Sequence, residues 1–309
     1  MASLLSAGDL RIDVGGAPAV DGLSLTTSGE RVLVLGAARA LFEAAAGLRP
    51  TRRGELRIEG MAPLAAVRAR LAAGAPLDPP LPPRWTVARY VTWSARLAGH
   101  GRRDASQLAG DALDALQLGS SAATRLRLAP LAMRRATVIA AAMATAAPAV
   151  LLDDPLTALP EDAARSFARV LVRALDAPPR RRVVVFAARI PLESPLSLAA
   201  DEALVIDGSQ VSAHGPPAEV AAQEKALALR VEGDVAAFAR AVEAEGGRAT
   251  VGTPSDEEPA RPAGRGPSLM GPTFVRVELG PLAARELLRI AEQARAVVRE
   301  LRPIAGVFA

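Results

Sequence analysis

Arg31-Val-Leu-Val-Leu35 is a continuous apolar run that ends at Gly36 and leads into a helical stretch, Ala40 to Gly47. An unbroken run of branched residues is the pattern of a strand buried on both faces. Two more such runs follow, Ala149-Val-Leu-Leu-Asp153, which ends in acid, and Val183-Val-Val-Phe186. Between them, residues 161–176 place Phe167, Val170, Leu171, Ala174 and Leu175 on one helical face. Strands buried on both sides, alternating with helices, predict an α/β domain with a mainly parallel sheet.

Shorter strands flank this frame at Leu10 to Val14, Gly22 to Thr27 and Glu55 to Glu59. Pro76-Leu-Asp-Pro-Pro-Leu-Pro-Pro83 is too rich in proline for regular structure and reads as loop. Helices are predicted over 86–98, 104–118 and 132–147, the second opened by Asp104 and Gln107 as a capping box. Glu202 to Ile206 and Gln210 to Ala213 form a hairpin on a tight Asp207-Gly208 turn. Beyond residue 224 the order becomes β-α-β-β-α-β, a small ferredoxin-like unit. Its strands start at Leu229, Arg248, Phe274 and Ala296, and its helices at Val235 and Leu282. Thr253 to Pro272 holds five Pro and three Gly in twenty residues and is expected to be a flexible insertion.

Composition narrows the function. Half of the 309 residues are hydrophobic, enough for a sizeable core. The 37 basic and 33 acidic side chains leave a net charge of +4, and every basic residue but Lys225 is Arg. No dense basic block stands out, and the aromatics are two Trp, one Tyr and six Phe. That argues against a stacking nucleic-acid binder. With no Cys, disulfides, thiolate nucleophiles and Cys-based zinc sites are excluded, and two His exclude a His-rich metal site. The N-terminus has no secretory pattern, and the longest uncharged stretch, Ala136 to Leu152, is broken by Pro148. A soluble cytoplasmic protein is expected.

The ordered landmarks resemble the ATP-binding subunit of an ABC transporter. Asp21-Gly-Leu-Ser-Leu25 is similar to the strand before the P-loop, and Ala46 to Thr51 and Gly54 to Gly60 to the segments after it. Arg84-Trp-Thr-Val87 resembles the segment after the Q-loop, and Leu151-Leu-Asp-Asp-Pro-Leu156 resembles Walker B. Asp207-Gly208 through His214-Gly-Pro-Pro-Ala-Glu-Val220 looks like the family's closing segment. Glu286 to Ile290 and Val297 to Pro303 resemble the C-terminal extension of the ABC-2 type drug and polysaccharide exporters. The resemblance implies a P-loop NTPase-like ABC nucleotide-binding domain over 1–223, with a helical subdomain over about 84–147. An α+β accessory domain would fill 224–309. It further implies integral-membrane ABC subunits as partners, a homodimer or heterodimer of ATP-binding subunits, no nucleic acid, and a peripheral position at the cytoplasmic membrane.

The motif positions depart from the family. A working P-loop reads G-x-x-x-x-G-K-[ST], its Lys on the β/γ-phosphates and its hydroxyl on Mg²⁺. Here Gly36, Ala37, Ala38 and Arg39 stand in its place, without the second Gly, the Lys or the hydroxyl, and the loop is ~4 residues short. Arg39 is either a substitute point charge or a surface residue at a helix start. The adenine-stacking aromatic falls at Val14, the Q-loop Gln at Leu77, and the signature glycines at Pro130 and Leu131. The loop that normally ends in Asp ends at Pro160, and the switch His becomes Ala188. His100 and His214 are expected to be solvated surface residues. Only Walker B persists: Asp153 at the Mg²⁺ position and Asp154 where the general base stands, one methylene short.

Two functions of different class follow. One is a non-hydrolysing subunit with structural or regulatory work, no catalytic residue and no expected cofactor. The other still binds or hydrolyses ATP with Mg²⁺ through Arg39 and Asp153, alone or with a competent partner. An unrelated α/β enzyme is a third. Trp85, Tyr90 and Trp93 cluster after the Pro-rich loop; they are either a docking face for the membrane partner or subdomain core, Tyr90 and Trp93 sharing a helix face.

Overall fold

A computed structural model describes residues 3–36, 38–207, 210–223, 226–252, 273–279, 282 and 284–303. Ala37, the Gly208 turn position, Lys225 and the 253–272 insertion lie outside these. The chain divides into two compact units that meet between Val220 and Ala221.

The first unit begins with β1 (Leu5–Val14), β2 (Ala17–Thr26) and β3 (Arg31–Gly36), then α1 (Ala38–Ala45), β4 (Arg53–Ile58), α2 (Pro63–Arg68) and β5 (Ala72–Ala75). Three helices follow: α3 (Val87–Leu97), α4 (Arg102–Ala115) and α5 (Leu131–Met143). The unit continues with β6 (Ala149–Asp153), α6 (Glu161–Asp176), β7 (Arg182–Ala187), α7 (Pro195–Leu198), β8 (Glu202–Asp207) and β9 (Gln210–Gly215), and α8 (Pro217–Gln223) runs past its end. The main sheet has the order β5-β6-β7-β3-β8-β9. It is parallel except for β9. A separate antiparallel sheet runs β2-β1-β4.

The apolar runs behave as their patterns demand. All five residues of β6 are buried, as are Val32 to Leu35 of β3 and Val183 to Ala187 of β7. Helix α1 buries Ala38, Ala40, Leu41, Phe42, Ala44 and Ala45, so only a narrow strip with Arg39 faces outward. Phe42 meets Phe186 of β7 edge-on, ring centroids 5.7 Å apart. Arg182 donates to both Glu59 oxygens at 2.9 Å and fastens the β4 turn to the main sheet.

Two local expectations are corrected, and one strand has no sequence signal. Asp104 does not cap α4: the helix starts at Gly101 with no side-chain cap, and Asp104 lies inside its first turn, where an acid suits the helix dipole. Gln107 instead donates to Asp111 at 2.9 Å. Helix α5 stops at Met143 rather than 147, because Ala146 takes a left-handed φ of 60°. Strand β5, Ala-Ala-Gly-Ala, has no branched residue to betray it; pairing with β6 makes it a strand.

The second unit holds β10 (Ala226–Gly233), α9 (Val235–Ala244), β11 (Arg248–Gly252), β12 (Thr273–Glu278), α10 (Ala284–Gln293) and β13 (Ala296–Pro303). Its antiparallel sheet has the order β11-β12-β10-β13, the split β-α-β arrangement. Leu229, Val231, Phe238, Val242, Val275, Val277, Leu287 and Ile290 fill its core. Asp234 caps α9 by accepting from the Ala237 N–H at 2.8 Å.

Candidate functional site

In an open parallel sheet the site lies off the carboxyl ends of the strands. Register puts several motif positions on that edge. Gly36 ends β3 opposite Ile206, Asp153 ends β6 opposite Phe186, and Ala188 follows β7 directly. Leu77 arrives two residues after β5.

Gly36 has a φ of 92°, and a Cβ there would sit 2.2 Å from the Ile206 carbonyl oxygen. Only glycine fits so close an approach. After the turn, Ala38 is buried and Arg39 is 69% exposed along its side chain. Arg39 Nε lies 3.4 Å from Glu43 Oε1, one helical turn on. Glu43 accepts more firmly from Arg49, at 2.8 Å and 2.5 Å. Burial pushes the Glu43 carboxyl up, but the Arg49 and Arg39 guanidinium groups outweigh it and hold the pKa below the ordinary value.

Asp153 is only 5% exposed, and its Oδ2 accepts the Leu77 N–H at 3.1 Å. Burial raises its pKa, against the opposing pull of that N–H and of the Arg39 charge. Asp154 adopts a left-handed φ of 40° and donates its N–H to the Phe186 carbonyl at 2.7 Å. The half-buried Asp154 carboxyl has its pKa raised by burial, against the opposing pull of the Ala188 and Thr157 N–H groups, and the Thr157 N–H donates to the Asp154 backbone carbonyl at 3.4 Å. Among the described residues, no group of three His, Asp or Glu is placed to hold a metal ion.

No protein-family model matches the chain. The hemin import ATP-binding protein HmuV of Streptomyces coelicolor is 30% identical over 237 residues, covering 71% of this chain and 80% of that protein. The chain belongs to the ABC transporter ATP-binding subunits. Solved structures agree on the fold. CbiO1 of Clostridium perfringens, part of the ABC transporter complex cbiONQ, superimposes with a TM-score of 0.61 at 16% identity, over 72% of this chain and 92% of that one. Another ATP-binding subunit of an ABC transporter gives 0.57 at 16% identity, over 69% and 90%.

The remaining ABC motif positions lie on other elements. Val14 ends β1, half exposed. Pro130 precedes α5 as its N-cap, with Leu131 as the first helical residue. Pro160 holds the same place before α6. Trp93 pairs with Trp85, not Tyr90: the two indoles meet edge-on at 5.9 Å, and Arg89 lies 4.6 Å over the Trp85 ring. Tyr90 is half-buried, and burial raises its phenol pKa.

Two residues have roles that the sequence pattern does not reveal, and both histidines have partners that it does not predict. Buried Arg135 donates to the carbonyls of Pro155, at 3.3 Å, and Thr157, tying α5 to the loop behind Asp154. Its burial does leave a signal: Leu131, Arg135 and Ile139 recur every fourth residue, so Arg135 falls on a helix face with apolar neighbours. Glu202 is buried in the closing hairpin. It accepts from the N–H groups of Ser28 at 2.8 Å and Gly29 at 2.5 Å, and pairs with His214 Nε2 at 2.5 Å. His214 is therefore a surface residue, 46% exposed as expected, that also partners a buried acid. His100 is half-buried, its Nε2 2.9 Å from the Thr145 carbonyl oxygen.

Proposed function

We propose that this ABC subunit does not hydrolyse ATP and serves as a structural or regulatory component of a membrane transporter complex. The observation that carries this is the engagement of both strand-end acids by the chain's own backbone. Asp153 takes the Leu77 N–H at 3.1 Å, and the half-buried Asp154 carboxyl lies under the pull of the Ala188 and Thr157 N–H groups. A metal at Asp153 and a water at Asp154 would compete with these N–H groups. Subunits of this family bind ATP and Mg²⁺, but the segment from Gly36 to Ala45 holds neither Lys nor a hydroxyl side chain. Its single cation, Arg39, is drawn to Glu43. These residues do not fit a triphosphate and its metal, so Gly36, Ala38, Arg39, Asp153 and Asp154 read as relics. Pro130, having no N–H, and bulky Leu131 are unsuited to offer a partner's phosphate the contacts of two glycines.

ABC ATP-binding subunits dimerise and work with integral-membrane subunits. No described helix is long and apolar enough to cross a membrane, so the membrane role runs through such partners. The Pro-rich loop 76–83 and the face of Trp85, Tyr90 and Trp93 form the docking surface in this reading. The split β-α-β order of the second unit supports assignment to the ABC-2 exporter branch, with residues 224–309 as an assembly module. A second reading keeps nucleotide binding. It is favoured by the 30% identical relative, named as an ATP-binding protein, and by the electrostatic reach of Arg39 to Asp153.

Equilibrium binding of labelled ATP with Mg²⁺ to the full chain tests the choice. No binding at millimolar ATP is the expected result. Micromolar binding that Asp153→Ala abolishes would overturn the proposal.

A further inference from the structure

We propose that the corner between α3 and α4 rests directly on an anionic bilayer surface. Its basis is where the charge lies. Residues 84–147 carry nine Arg against three Asp, with no Lys or Glu, a net charge of +6 in a chain whose total is +4. The rest of the chain is therefore net negative. From residue 79 to residue 103 there is no acid at all, but five Arg and two Trp.

Eight of the nine Arg lie at the surface, Arg135 alone being buried. Among the described residues, none of the nine Arg in 84–147 has a carboxylate within ion-pair distance. Elsewhere the unit pairs its Arg freely, as at Arg11, Arg31, Arg49, Arg53 and Arg182. At the corner the cations stand beside apolar side chains that project outward. Trp93 is 50% exposed and Leu97, one turn on, 72%. Arg96 lies between them, and Arg102 and Arg103 begin α4 after a four-residue turn. All three Arg are exposed. Asp104 borders the patch as the first acid.

The inner face of α3 is occupied by Val87, Val91 and Ala95, so the helix is held by the protein, while its outer face exposes Arg96 and Leu97 and half of Trp93, whose ring also meets Trp85. Trp and Leu flanked by Arg is the composition that binds an anionic lipid interface: the rings and methyls enter the headgroup region and the guanidinium groups meet phosphate. A protein partner would need a pocket shaped around Leu97, whereas a soft interface accepts such a projecting chain as it stands. This contact is additional to the docking face, with which it shares Trp93, and it is independent of nucleotide.

Sedimentation of the full chain with vesicles decides it. One set is phosphatidylcholine alone; the other is equal parts phosphatidylcholine and phosphatidylglycerol. The chain is expected to pellet with the second set only, and to be released by high salt. The triple variant R96Q/R102Q/R103Q, outside the docking face, should bind about a hundredfold more weakly. Leu97→Ser should weaken binding about tenfold. No binding, equal binding to both sets, or undiminished binding by the triple variant would overturn the proposal. So would a corner that captures a membrane subunit in detergent yet ignores vesicles, which would make it a protein-docking surface.

Discussion

The carboxyl edge of the main sheet and the segment 84–147 have diverged in opposite ways. At the edge the geometry is kept and the chemistry has been turned inward: Gly36 still fits against Ile206, but Asp153 is spent on the Leu77 N–H and Arg39 on Glu43. In 84–147 eight of the nine Arg are exposed, and none has a carboxylate within ion-pair distance among the described residues. Groups that satisfy one another inside a chain stabilise a shape. Groups left unsatisfied on its surface await something else.

Substitutions can break or sharpen this contrast. The largest effect belongs to Gly36→Ala, which forces a Cβ into the Ile206 carbonyl at a positive φ. Denaturant unfolding should show a loss of about 3 kcal/mol or more; a loss below about 1 kcal/mol would mean the edge relaxes easily. Next comes Arg135→Met, which strips the Pro155 and Thr157 carbonyls of their donor. It should cost about 2 kcal/mol, and thermal melting reads it.

Asp153→Asn should act the other way and stabilise by on the order of 1 kcal/mol at neutral pH. Burial raises the Asp153 pKa, so the folded state holds its proton more tightly than the unfolded state does. The penalty is full at neutral pH and is relieved as pH falls through that raised value. The gain from Asn should therefore shrink on acidification. Destabilisation instead would show that the acid is structural, and the idea of a relic would fail. Smallest is Arg39→Ala, with a change within about 0.5 kcal/mol for an exposed pair one turn apart. A larger change in its melting curve would give Arg39 work beyond Glu43.

The fold was legible where burial is two-sided. Strands β3, β6 and β7 announce themselves because branched runs leave no polar face. Strand β5 did not, because alanine and glycine carry no strand signal and its identity comes from its neighbour β6. The capping box failed for a related reason: Asp104 and Gln107 have the right spacing, but the chain enters α4 earlier, through Gly101. Of the candidate site, Gly36, Asp153, Asp154, Leu77 and Ala188 were placed by their motif positions and do gather at one sheet edge. The clamp of Arg135 and the pairing of Glu202 with His214 were not foreseen, since their partners are distant atoms.

The sequence by itself determined the alternation of buried strands and helices, the absence of thiol chemistry, and the loss of Lys and hydroxyl beside Gly36. These are properties of residue type and local period. Only the tertiary structure decided what the surviving acids do. Leu77 lies 76 residues from Asp153 along the chain, and its N–H reaches that carboxylate only because β5 and β6 lie side by side. A backbone N–H is the same in every residue but proline, so no side-chain pattern could have named this one as the partner.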